Sequence, residues 1–167
     1  MKLYLAGGLF NAGTRLHNLY LEKHLNAIGY DTVLPQREAV QFHAEEKGGG
    51  KFNTKAITQD CHQAARTPEN LCVACIDGAD ADGGTSVEFG IAIESTGRAI
   101  VYRTDFRTAE DRELGFNAMF RIEGTHYVYV PSYFTELEEV DEYYEKLAQT
   151  IHLAIVLALG KDLTISP

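Results

Sequence analysis

Asp82 and Glu88 stand on either side of a glycine turn in Asp82-Gly83-Gly84-Thr85-Ser86-Val87-Glu88-Phe89-Gly90, a setting suited to carboxylate chemistry. The apolar run Leu71-Cys72-Val73-Ala74-Cys75-Ile76 just before it reads as a central parallel strand, and Thr85 to Ser95 as the helix that follows. Glu88 is then expected in the first helical turn, where unpaired backbone N–H groups and the positive end of the helix dipole favour an ionised carboxylate. An ionised, positioned glutamate acts as a nucleophile rather than as a proton donor.

Other side chains could join it. Asp60, on the helix before that strand, is either a solvent-exposed aspartate or a second acid turned to the same cleft. Tyr4 lies in the first strand, where an aromatic is usually packing, but a hydroxyl emerging near Glu88 would orient the carboxylate. Gly7 and Gly8 let a small ligand approach the backbone, and Phe10 offers either a flat face to a ring or ordinary core.

Several familiar sites fail on spacing. Gly7, Gly8 and Gly13 match neither GxGxxG nor GxxxxGK[ST], and Asp31 opens the second strand instead of closing it, so a dinucleotide site is not expected. Asp77, Asp80, Asp82 and Glu88 superficially resemble a calcium loop. With Gly83 in the glycine position, however, Gly78 and Phe89 fall where ligands are needed. Cys72 and Cys75 form a CxxC, but a separation of three within a strand puts them on opposite faces and spoils a metal or redox pair. The six histidines show no HxxxH or HExxH spacing. No metal and no cofactor is expected.

The elements that must position these residues alternate. Strands are expected at Lys2 to Ala6, Asp31 to Leu34, Leu71 to Ile76, Arg98 to Tyr102 and Thr125 to Val130. Helices are expected at Thr14 to Ile28, Thr54 to Arg66, Thr85 to Ser95 and Thr135 to Leu159, with Pro35 to Gly50 as a long loop. Five strands alternating with helices require right-handed crossovers and a parallel sheet covered on both faces, with ligands beyond the strand carboxyl ends. The expected order is 2-1-3-4-5, which brings the loops Gly7 to Gly13 and Asp77 to Gly84 together at the switch point. The acidic run Glu136 to Glu142 reads as a solvated helix start.

The chain has 167 residues, which fits a single domain over 1–167 with a substantial core. Its 24 acidic and 15 basic residues give a formal charge of -9, which opposes binding to nucleic acid or an anionic membrane and suits a neutral or cationic small substrate. Glycines interrupt the apolar residues near the start, so no signal peptide is expected. The stretch Leu153 to Leu159 is too short to span a bilayer. A soluble, cytoplasmic protein is expected, and three cysteines without a secretion signal do not suggest disulfides.

With Tyr4-Leu5-Ala6-Gly7-Gly8-Leu9-Phe10, then Asp82 to Gly90, then Gly115-Phe116-Asn117-Ala118-Met119, the chain resembles the nucleoside 2-deoxyribosyltransferases over most of its length. The resemblance implies a flavodoxin-like doubly wound fold and transfer of 2-deoxyribose between nucleobases, with deoxynucleosides and free bases as partners. It implies Glu88 as the nucleophile in a retaining double displacement, analogous to retaining glycoside hydrolysis. Tyr4 would orient Glu88, Asp60 and Asp82 would hold or protonate the departing base, and Phe10 and Gln36 would lie near the substrate. Asn117 and Met119 match residues that complete a neighbouring subunit's pocket, which implies an oligomer built from dimers, often a hexamer. The C-terminal carboxylate that family members bring to the site is not assigned to Leu163 to Pro167.

Two alternatives stay open. A 2′-deoxynucleoside 5′-phosphate N-hydrolase would share the glutamate, but such hydrolases tend to carry Ser where Asp82 stands, and a carboxylate beside a phosphate is repulsive. In a non-catalytic nucleoside-binding domain, Glu88 would only cap or hydrogen-bond.

Overall fold

Alternate residues of a strand point to opposite sides, and in this chain each side has its own cover. In the computed structural model, which describes residues 1–38, 54–107 and 116–160, strands β1 (Lys2–Ala6), β2 (Asp31–Val33), β3 (Asn70–Cys75), β4 (Ala99–Arg103) and β5 (Thr125–Tyr129) form one sheet. Its order is β2-β1-β3-β4-β5 and every pair is parallel. This is the flavodoxin-like order expected from the alternation of elements.

Five α-helices are described: α1 (Ala12–Ala27), α2 (Pro35–Glu38), α3 (Thr54–Arg66), α4 (Gly83–Thr96) and α5 (Val140–Ala158). Leu3, Leu5, Leu71, Val73, Ile100 and Val128 meet Leu21 and Leu25 of α1 and Leu147, Ile151 and Ile155 of α5. Residues of opposite parity, Tyr4, Ala6, Cys72, Ala74, Ala99 and Val101, meet Ala65 of α3 and Phe89 and Ala92 of α4. Ala and Cys dominate the sheet side of this second layer, and these small residues let α3 and α4 lie close over the sheet. Cys72 and Cys75 fall on opposite layers, as strand parity requires, and all three cysteines are free.

Most element ends shift by one or two residues from the sequence expectation, and three differences matter here. Pro35 to Glu38 is a short helix rather than loop, and the remainder of that expected loop lies outside the described residues. The last helix is preceded by a 3₁₀ turn at Leu137–Glu139, where Glu139 Oε2 accepts the backbone N–H groups of Thr135 at 2.8 Å and Glu136 at 3.2 Å. The acidic run thus serves as a capping box at a helix entry. Helix α4 begins at Gly83 rather than Thr85, and this third difference bears on the site. Among the described residues, no helix is long and apolar enough to cross a membrane.

Candidate active site

Two loops at the carboxyl ends of β1 and β3 open the site. The first is tied down from behind: Asn18 Nδ2 donates to Gly8 O at 3.1 Å and to Gln36 Oε1 at 3.0 Å, while Gln36 Nε2 donates to Arg15 O at 3.1 Å. In the second, Gly78 has φ +110, and a Cβ there would lie 2.7 Å from Asp80 O, so only glycine makes this bend without strain. The turn ends at Asp82, whose Oδ1 accepts the Thr85 N–H at 3.0 Å and the Thr85 hydroxyl at 3.2 Å. This N-cap starts α4 two residues earlier than its glycines alone would suggest.

Between the loops and helices α3 and α4 lies a cavity of about 430 Å³. Gly7, Leu9 and Phe10 line it from the first loop, Ile57, Thr58, Cys61 and His62 from α3, and Asp82, Val87 and Glu88 from the turn and α4. The α3 residues recur every three to four positions, so they form one helical face. Phe10 is 81% exposed, which makes it a lip of the cavity and not core.

Tyr4 reaches the site from beneath, as the buried floor of β1. Its hydroxyl is buried with no hydrogen-bond partner among the described residues, close enough to Glu88 and Cys61 to feel their charge. Burial first, then the neighbouring Glu88 charge, holds the phenol far above its usual range, so it stays protonated and available as a donor.

Glu88 departs from the sequence expectation. With the cap at Asp82 it is the sixth residue of α4, past the first turn whose free N–H groups stabilise an anion. Burial pushes its carboxyl from 4.5 up to about 7; contacts from Tyr4 and Cys61 pull it down, and the nearby Asp82 charge adds a smaller upward push. Desolvation outweighs the donors, so the group is divided between acid and anion near neutrality. The Cys61 thiol is likewise pushed up to about 11, chiefly by burial, and remains a neutral S–H.

A family model described as Nucleoside 2-deoxyribosyltransferase matches residues 3–119. The chain belongs to that family. Among solved structures, a conserved protein from Enterococcus faecalis V583 is similar at TM-score 0.64 and 22% identity, covering 92% of this chain and 98% of the other. A 2-deoxyribosyltransferase from the psychrotolerant bacterium Bacillus psychrosaccharolyticus is similar at TM-score 0.53 and 18% identity, covering 89% and 96%. At such identities these two likenesses speak for the fold. No curated protein sequence matches the chain.

For this member of the nucleoside 2-deoxyribosyltransferase family, the structure brings together Tyr4, Gly7, Phe10, Asp82 and Glu88 at or beneath one cavity. It does not bring the others there. Asp60 is exposed on α3 and does not line the cavity, because one residue along a helix turns a side chain by about 100° and Cys61 takes the inward position. Gln36 is 4% exposed and spends its amide on Asn18 and Arg15, supporting the first loop instead of facing the cavity. Asn117 and Met119 are exposed away from this chain's own cavity, with the Asn117 side chain accepting the Met119 N–H at 2.9 Å. Gly115 lies outside the described residues. Cys61 and His62 were missed by sequence reading; the helical face they share with Ile57, Thr58 and buried Ala65 is the signal that could have found them. Among the described residues, no three His, Cys, Asp or Glu side chains group as metal ligands would.

Proposed function

We propose that the protein transfers 2-deoxyribose from a deoxynucleoside to a second nucleobase, with Glu88 as nucleophile. The observation that carries this reading is the Glu88 carboxylate on the wall of a half-open, largely apolar cavity, with a protonated Tyr4 phenol beneath it and the Phe10 ring at the mouth.

In this reading, ionised Glu88 attacks C1′ as the C1′–N bond breaks, through an oxocarbenium-like transition state. The bonding pair leaves with the base, which takes up a proton, and an ester joins C1′ to Glu88. The incoming base attacks C1′ from the vacated side and gives up its N–H proton to the group that supplied the first, the ester bond breaks to return the Glu88 carboxylate, and configuration is retained. Tyr4 holds one carboxylate oxygen toward the sugar. Asp82 hydrogen-bonds or protonates the departing base through Oδ2, which takes no part in the Thr85 cap. Asp60, exposed beside the cavity-lining face, has no direct part.

Exposure of Asn117 and Met119 on their own chain supports their use at a neighbour's site in a homo-oligomer. Asp82 also favours nucleosides over nucleotides, since its carboxylate occupies the amino end of α4, where a phosphate would otherwise be drawn.

A base-exchange assay decides. Purified protein given a deoxynucleoside and a different free base should yield the exchanged deoxynucleoside. Release of deoxyribose 5-phosphate from nucleotides without exchange would assign the hydrolase reading, and nucleoside binding without turnover would assign a sensing domain.

A further inference from the structure

The turn that delivers Asp82 is fastened from the neighbouring strand end. Arg103, the last residue of β4, is 3% exposed, and its guanidinium donates to backbone carbonyls on two loops. On the loop after β3 these are Ile76 O at 2.9 Å and Gly78 O at 3.0 Å; on the loop after β4 they are Asp105 O at 3.2 Å and Arg107 O at 3.0 Å. Bonds also run the other way. Asp77 Oδ1 accepts the N–H groups of Thr104 at 2.6 Å and Asp105 at 2.9 Å, Asp77 Oδ2 accepts the Thr104 hydroxyl, and Asp105 Oδ2 accepts the Gly78 N–H at 3.2 Å. The loop after β5 backs this arrangement, with the Ser132 N–H and hydroxyl donating to Thr104 O at 2.9 and 3.1 Å.

A buried cation is costly unless its donors are used, and well-packed apolar side chains often serve as well where stability alone is at stake. What a guanidinium adds is a rigid planar fork that grips two loops at once. Here it grips the carbonyls on either side of Asp77, at the Gly78 bend from which the chain runs to Asp82.

We propose that Arg103 is a positioning residue for Asp82, its guanidinium latching the turn after β3 to the loop after β4 so that the Asp82 carboxylate is held on the cavity wall. The functional part rests on the reading of Asp82 as the group that meets the departing base, but the latch itself does not depend on turnover. Arg103 is buried behind the turn and acts on the reaction through Asp82.

Arg103→Lys keeps the charge but offers donors from a single nitrogen, which cannot hold both loops together. In base exchange it should lower kcat about 10- to 100-fold, the scale of a small misplacement made away from the chemistry. In an Asp82→Asn background the same change should lower kcat less than about threefold, while the two losses in urea midpoint add. A merely structural role would lower kcat by the same factor in both backgrounds, and that result, or wild-type kcat in Arg103→Lys, would overturn the proposal. Asp105→Ala removes the bond to the Gly78 N–H without leaving a buried cation unpaired, so it gives the same reading if Arg103→Lys does not fold. Amide hydrogen exchange tests the latch without any reaction. In either variant the Gly78 and Thr85 amides should exchange at least about tenfold faster relative to the Leu25 amide of α1, which reports global opening; equal changes at all three would overturn the latch. If wild-type protein shows no base exchange but Gly78 and Thr85 loosen selectively, the latch stands and the transferase reading fails. If base exchange occurs and the kcat losses multiply, the positioning role fails alone.

Discussion

Asp82 Oδ1 caps the Thr85 backbone N–H at 3.0 Å and its hydroxyl at 3.2 Å, and this contact decides where along α4 Glu88 falls. Because the helix starts at Gly83, Glu88 stands in its second turn with its side chain toward β1 and α3, where it meets Tyr4 and Cys61. One aspartate therefore shapes the site twice, as the helix cap and as a carboxylate on the cavity wall.

The two roles can be separated by substitution. Asn caps a helix about as well as Asp, so Asp82→Asn should keep stability within ~0.5 kcal/mol, while Asp82→Ala should lose about 1 kcal/mol with the cap. Urea unfolding measures both. In base exchange, Asp82→Asn should slow base release and alter the preference among bases. An unchanged pH–rate profile and base spectrum would remove Asp82 from proton transfer.

Glu88 governs both rate and stability, with a definite sign for each. Transfer needs the anion, so kcat/KM should rise with pH through about 7, and Glu88→Gln should lower transfer roughly 10³-fold or more. For stability, the folded-state value is raised above the ordinary 4.5 to about 7. The contribution is therefore fully present below 4.5 and is lost as pH rises through about 7. Glu88→Gln should abolish that loss, so the variant gains stability relative to wild type between pH 5 and 8 as followed by urea midpoints. A parallel pH dependence in the two proteins would refute the buried-carboxyl account.

Phe10 tests the cavity mouth without touching the core. At 81% exposure, Phe10→Ala should change unfolding free energy by no more than ~0.5 kcal/mol. If the ring stacks on a base, KM should rise about three- to tenfold, which corresponds to one aromatic contact. Unaltered KM for every donor would place the ring outside the binding site.

On the opposite face, the half-buried His17 ring joins the Tyr144 hydroxyl at 2.8 Å through Nδ1 and the Tyr102 hydroxyl at 2.9 Å through Nε2. Burial lowers its basicity below the ordinary 6.5, against a smaller opposite pull from Asp77. A lowered folded-state value means that stability is retained above 6.5 and lost as pH falls through the folded value. His17→Gln should lessen that acid-side loss. Combining it with Glu88→Gln removes the opposing slope and lets urea midpoints between pH 7.5 and 5 read the effect; equal slopes with and without His17 would contradict it.

Strand parity and the alternation of elements were legible in the residues themselves. Leu3 and Leu5 against Tyr4 and Ala6, and Cys72 against Cys75, divide between the two layers as a period of two demands. Right-handed crossovers between alternating elements make the sheet parallel and doubly wound, and the order β2-β1-β3-β4-β5 is one of the two usual for such sheets. Asp82, Glu88, Tyr4 and Phe10 could be picked out because their types and spacing around two glycine loops are local facts.

What the residues alone could not decide were properties that depend on distant neighbours. Whether Asp60 or Cys61 faces the cavity is a rotation of about 100° set by how α3 packs on the sheet. Gln36 has the same amide whether it meets a ligand or, as here, Asn18 and Arg15. The charge state of Glu88 turned on desolvation by α3 and β1, elements at least twenty residues away in the chain. Sequence carries periodicity and local capping because both act over a few residues; burial and the fields within it arise only when separate segments exclude water together.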